Sequence, residues 1–103
     1  MTISKAQPSP TFGRIRTTEE LGRIMRAFRK SQELTLEKVS GLCHLSMRFL
    51  SELERGKETA EIGKALEALN KLGLEVLIQP RGYEEQKRRE YLKLQSLDHN
   101  NDK

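Results

Sequence analysis

The sequence predicts a mainly α fold: four packed helices, one short β-strand and a C-terminal helix. Three observations carry this. Thr35 and Ser46 each stand directly before apolar residues of helical period, where an N-cap belongs. Only Cys43-His44-Leu45 lies between those two helices, too little chain for anything but a sharp corner. Finally, Leu74-Glu75-Val76-Leu77-Ile78-Gln79-Pro80 is β-rich and alternating, and Pro80 closes it.

Taken in order, residues 1–17 are polar, with Pro8 and Pro10 either side of Ser9 and no helical period, and read as a flexible basic arm. Thr17-Thr18-Glu19-Glu20 opens the first helix. Thr17 and Glu20 have capping-box spacing, with Thr18 as the alternative cap. Leu21, Met25 and Phe28 form its apolar face. The second helix, after Thr35, carries Val39 and Leu42. The third, after Ser46, carries Leu50 and Leu53 and ends at Glu54-Arg55-Gly56, with Gly56 suited to a left-handed C-terminal position. Helix, tight turn and helix in this arrangement is the architecture that lays its second helix in the DNA major groove. The fourth helix is expected over Ala60 to Leu72, with Ile62, Leu66 and Leu69 inward and Gly73 as its stop. The expected core is Leu21, Met25, Phe28, Leu34, Val39, Leu42, Leu45, Leu50, Leu53, Ile62, Leu66 and Leu69, with Cys43 as packing at the turn.

Composition fits this outline. The chain has 103 residues, enough for one small domain with extensions. No apolar run is long enough to span a bilayer and no signal peptide is evident, so a cytoplasmic, nucleoid-associated protein without a membrane partner is expected. The lone Cys43 excludes an intramolecular disulfide, and one cysteine with two scattered histidines gives no metal-ligand spacing. Residues 1–57 hold 11 Lys/Arg against 6 Asp/Glu, whereas residues 58–103 hold 8 against 9. The basic excess therefore lies on the half with the two crossed helices, as phosphate binding requires, although an ordinary solvated surface has such charges too. There is no nucleophile paired with a base, no phosphate-cradling glycine loop and no carboxylate cluster, so neither an enzyme nor a cofactor is expected.

The strand poses a physical problem. Nothing else in the chain reads as a strand, and a lone strand leaves its N–H and C=O groups unpaired. Either the same strand of a second copy pairs with it across a two-fold axis, through Leu74, Val76, Leu77 and Ile78, or the segment is an extended tail packed on the fourth helix. A homodimer would also read a palindromic operator with two helices spaced one duplex turn apart. The remaining segment, Tyr83 to Leu97, favours helix, with Glu84 and Arg88 as an i,i+4 pair and a thin apolar stripe of Tyr91, Leu94 and Leu97. The expected divisions are thus 1–17 (arm), 18–73 (helical domain), 74–80 (dimerisation strand) and 81–103 (charged helix and tail).

The run Ser46…Leu50-Ser51…Leu53-Glu54-Arg55-Gly56, with Leu21 to Arg29 upstream and Thr59 to Gly73 downstream, resembles the Xre/Cro-type, phage-repressor-like helix-turn-helix group over residues 18–73. The continuation Ala65-Leu66-Glu67-Ala68-Leu69-Asn70-Lys71-Leu72-Gly73-Leu74-Glu75-Val76-Leu77-Ile78 narrows this to a resemblance to HipB-type antitoxins of type II toxin–antitoxin systems. That resemblance implies a lambda-repressor-like domain, a strand shared across a homodimer, repression of the chain's own operon, and binding of a HipA-like toxin with a serine/threonine-kinase fold. The best-known members dock a tail tryptophan on the kinase. This chain has no Trp, and systems in which a separate small antitoxin subunit blocks the kinase are compatible with it.

Carried onto this chain, the family pattern points Met47, Arg48 and Glu52 at the bases, with Ser46 and Phe49 near. Arg48 suits guanine O6 and N7. Glu52 would accept from a cytosine amino group or orient Arg48, and Phe49 would meet a thymine methyl or belong to the core. Thr35 and Leu36 at the start of the second helix, with Arg55, Lys57 and Thr59 after the third, are the expected phosphate contacts. The family often has glutamine where this chain has Leu36. Arg14 and Arg16 on the arm are candidates for an adjacent minor groove, or for a protein partner. Arg29 and Glu54 occupy positions that form a partly buried structural ion pair in the family. His44 stands where the family usually has Gly, so a left-handed turn residue is expected there. Three functions follow as alternatives: a dimeric repressor–antitoxin, a stand-alone Xre-family regulator, and a protein-interaction adaptor with weak DNA binding.

Overall fold

A computed structural model describes residues 10–101, with side-chain burial as far as residue 96. Residues 1–9 of the expected arm, the side chain of Leu97 and residues 102–103 of the tail lie outside the described residues. Five helices follow in order: α1 (Thr18–Ser31), α2 (Leu36–Cys43), α3 (Met47–Glu54), α4 (Ile62–Leu72) and α5 (Tyr83–Asn101).

Each of the first three helices begins at a hydroxyl cap. The Glu20 N–H donates to Thr17 Oγ1 at 3.0 Å, the Lys38 N–H to Thr35 Oγ1 at 3.1 Å, and the Phe49 N–H to Ser46 Oγ at 3.0 Å. The Glu20 carboxylate accepts from the Arg16 N–H, one residue upstream of the capping-box partner. Thr18 is not the cap: its hydroxyl donates to the Gly56 carbonyl at 2.8 Å and ties the start of α1 to the end of α3.

The corner between α2 and α3 turns on His44, at φ 59° and ψ 37° in the left-handed region. That conformation costs a residue with a Cβ about 1–2 kcal/mol. The Ser40 hydroxyl closes the corner by donating to the Leu45 carbonyl at 2.6 Å. Gly56 (φ 87°) and Gly73 (φ 106°) follow α3 and α4, where a left-handed residue lets the chain leave the helix. After Gly73 the Leu74 N–H returns to the Leu69 carbonyl at 2.9 Å, and Leu74 is half-buried against the core.

The core joins α1, α2, α3 and α4 through Met25, Val39, Cys43, Leu50, Leu53, Ala65, Ala68, Leu69 and Leu72. Leu21, Phe28, Leu34 and Leu45 pack on it half-buried. Leu42, Ile62 and Leu66, expected inside, are exposed at 52%, 70% and 44%. The inward stripe of α4 is instead Ala65, Ala68, Leu69 and Leu72, at spacing i, i+3, i+4, i+7. The two alanines seat α4 closely, and the larger Ile62 and Leu66 fall outside that stripe.

The expected strand is corrected. No strand forms among the described residues, and residues 74–80 have no regular structure. The reason is elementary: a strand is stable only beside another, and the chain supplies none. Val76, Leu77 and Ile78 stand exposed. α5 extends past the expected end at Leu97 to Asn101. Its described side chains are exposed beyond Tyr83, including Tyr91 and Leu94 of the expected stripe.

Candidate nucleic-acid interface

α3 is held from below and free above. Leu50 and Leu53 are buried, and Phe49 packs half-buried on the core. Phe49 is thereby placed on the core side of its two sequence alternatives. The opposite flank carries Met47, 46% exposed, and Arg48, whose side chain is almost fully solvated.

Three charged side chains form one cluster on that flank. Arg48 Nε donates to Glu52 Oε2 at 3.3 Å, and Lys57 Nζ donates to Glu52 Oε1 at 3.0 Å. Hydrogen bonding by Lys57, then by Arg48, holds the Glu52 carboxyl below the ordinary carboxylate range. Both Glu52 oxygens are thus engaged, which favours orienting Arg48 over reading a cytosine. The contact uses Nε of Arg48 and leaves the two terminal amino groups of the guanidinium for an acceptor pair such as guanine O6 and N7.

Of the other expected contact residues, all but Leu36 are exposed. Thr35 is exposed and caps α2, while Leu36 is half-buried with its side chain on the core. Leu36 therefore offers a backbone N–H at a helix N-terminus rather than a side chain. Arg55, Lys57 and Thr59 are exposed around the turn after α3. Arg14 and Arg16 are exposed ahead of α1.

A buried ion pair fixes α3 against α1. Arg29 Nε donates to Glu54 Oε2 at 2.6 Å and an Arg29 terminal nitrogen to Glu54 Oε1 at 3.1 Å. The other terminal nitrogen donates to the Leu34 carbonyl at 2.6 Å, ahead of α2. One guanidinium thus ties three elements, with both carboxylate oxygens satisfied. The approach of α1 to α3 is close enough to require glycine. A Cβ on Gly22 would lie 2.6 Å from the Leu53 carbonyl oxygen and closer still to that of Glu54.

Burial pushes the Cys43 thiol above its ordinary value, so Cys43 behaves as a small apolar residue. No group of three or more His, Cys, Asp or Glu suited to a metal occurs among the described residues, and none of their helices is long and apolar enough to cross a membrane.

This geometry has relatives. No family model matches the chain. The uncharacterised HTH-type transcriptional regulator y4mF of Sinorhizobium fredii (strain NBRC 101917 / NGR234) is 40% identical over 63 residues, covering 61% of this chain and 83% of that protein. The chain belongs to the HTH-type transcriptional regulators. Its fold is that of HipB. A HipB–O4 20mer complex, a structure named MDT Protein and a HipA–HipB–O2–O3 complex each align with a TM-score of 0.63 at 16% identity. Each covers 68% of this chain and 99% of the matched one.

In this HTH-type regulator, sequence reasoning missed Gly22, the Thr18–Gly56 tie, Ser40 as the clasp of the turn, and the alanine stripe of α4. Only Gly22 left a signal, a glycine inside an otherwise strong helix, which marks a close approach.

Proposed function

We propose that this chain is a homodimeric, sequence-specific repressor that binds a palindromic operator in its own promoter and serves as the antitoxin of a HipBA-like system. The observation that carries the reading is the solvated flank of α3. There Arg48 is braced by Glu52, which Lys57 also holds, on a fold shared with HipB in complexes named for an O4 20mer and for HipA with O2 and O3. In this reading Arg48 reads a guanine, Met47 contacts a neighbouring base, and Ser46 starts the helix at the groove. Thr35, the Leu36 N–H, Arg55, Lys57 and Thr59 hold phosphates, and Arg14 and Arg16 reach the flanking minor groove.

Replacing Arg48 by alanine tests this. With a duplex taken from upstream of the gene, affinity is expected to fall by about 1–3 kcal/mol, or roughly five- to 150-fold. Affinity for an unrelated duplex should change far less. Unaltered operator retention in a gel would eliminate base reading by α3 and favour an adaptor whose main work is protein binding.

The dimer reading rests on exposed apolar surface. Ile62 and Leu66 lie one turn apart on α4, Leu42 lies on the adjacent α2, and Val76, Leu77 and Ile78 follow. A second copy would cover them, whereas Leu74 already packs on its own core. Val76→Lys is expected to shift sedimentation from dimer to monomer and to weaken operator binding, while the unfolding midpoint changes little. An unchanged dimer would rule out this face.

The toxin partner is read as a HipA-like protein of serine/threonine-kinase fold, met directly or with a separate small antitoxin subunit. The exposed apolar residues of α5 and the absence of Trp argue for a contact other than a tryptophan dock. Purification of the native protein should bring a kinase-fold partner with it. If none travels with the protein, the stand-alone regulator is preferred, a role that agrees with the name of the Sinorhizobium relative.

A further inference from the structure

We infer that the arginine-lined cleft between α1 and the C-terminal half of α3 is a phosphate-binding site that extends the DNA footprint onto α1. This rests on the reading of α3 as a DNA-facing helix. The cleft encloses about 530 Å³. Its rim carries Glu19, Arg23 and Arg26 from α1 and Arg55 from the end of α3, and Arg29 with Glu54 lines it between those helices. Glu54 is fully engaged by Arg29. Arg23, Arg26 and Arg55 have no carboxylate within salt-bridge distance among the described residues.

With Arg29 and Glu54 paired, Arg23, Arg26 and Arg55 stand against Glu19 alone, so positive charge is in excess in a concave site. Such a cleft focuses field and attracts an anion. Its chemistry suits phosphate oxygens, since guanidinium forks bind phosphate in a bidentate manner. Arg23 and Arg26 are three apart, on one face of α1.

Position selects a DNA backbone over an acidic protein. Arg48, Ser51, Glu52 and Arg55 fall at i, i+3, i+4 and i+7, a single stripe running from the reading flank of α3 into the cleft. Leu36, the first residue of α2, lines the same cleft and brings a helix N-terminus to it. A duplex lying along Arg48 would therefore carry a flanking phosphate to Arg55, Arg23 and Arg26. The α1 arginines hold no base-reading position, so their effect is independent of sequence.

The test uses the full-length protein and a random-sequence 30-base-pair duplex, followed by fluorescence anisotropy across salt concentration. The double variant Arg23→Gln/Arg26→Gln is expected to reduce the slope of log affinity against log salt by about 1.8 per protomer, at about 0.9 for each phosphate no longer neutralised. Arg23→Lys/Arg26→Lys should keep most of the slope, because it keeps the charge. Both side chains are exposed, and an unchanged thermal midpoint serves as the folding control. A full wild-type slope in the Gln variant would overturn the cleft site and leave the α3 reading standing. Absence of any binding by the wild-type protein would overturn both. Retained DNA binding with lost binding to poly-glutamate would assign the cleft to an acidic protein and overturn the DNA role.

Discussion

Glu54→Ala is expected to lower the free energy of unfolding by roughly 3–5 kcal/mol, read as a shift of the urea midpoint at unchanged slope. The loss is large because the glutamate is one half of a buried pair. Its removal strands Arg29, only 7% exposed in the intact protein, with the Leu34 carbonyl as its remaining partner. The attraction within the pair is not the main quantity. Taking both charges out of water is itself costly, so replacing the pair by apolar residues often comes out near neutral. The double variant Arg29→Met/Glu54→Leu should therefore recover most of the loss. About 1 kcal/mol should remain, because the Leu34 carbonyl then loses its donor. A Glu54→Ala protein as stable as wild type would show that the pair is dispensable and that apolar packing alone sets α3 on α1.

Gly22→Ala is the second large effect. In an ordinary helix interior this change stabilises by about 0.8–1 kcal/mol. Here the new methyl would meet the carbonyl oxygens of Leu53 and Glu54, which are backbone and cannot rotate aside. α1 must move off the end of α3, straining the Arg29–Glu54 pair and the Thr18–Gly56 hydrogen bond. Overpacking of this kind costs about 1–3 kcal/mol, and the rigid neighbours place Gly22 at the upper end. Two internal controls share its chemistry without its surroundings. A Cβ on Gly41 or Gly63 meets nothing within 4 Å. Gly41→Ala and Gly63→Ala should therefore raise the thermal midpoint while Gly22→Ala lowers it. If all three moved together, propensity rather than close approach would govern α1.

Local signals were legible in the residues because their physics is local. Thr17, Thr35 and Ser46 cap helices through hydroxyls that reach an N–H three residues on, a reach contained within one turn. Gly56 and Gly73 end helices because the left-handed conformation they need is a property of one residue. The failures came where two segments had to be known at once. Apolar period alone put Ile62, Leu66 and Leu42 inward, since a period defines a face but not which face its neighbour covers. The alternation of residues 74–80 suggested a strand, but strand formation depends on a partner that the sequence of one chain does not name.

The same division holds for the candidate site. By itself the sequence determined the caps, the left-handed corner at His44 and the order of elements, and through them a short helix carrying Met47, Arg48 and Glu52. Each of these is decided within a few residues by sterics and hydrogen bonding. Only the tertiary structure decided that Phe49 packs on the core and that Gly22 lets α1 reach the end of α3. It alone brought Arg23 and Arg26 beside Arg55. These depend on distances between elements far apart in the chain, which close packing sets and no local pattern contains.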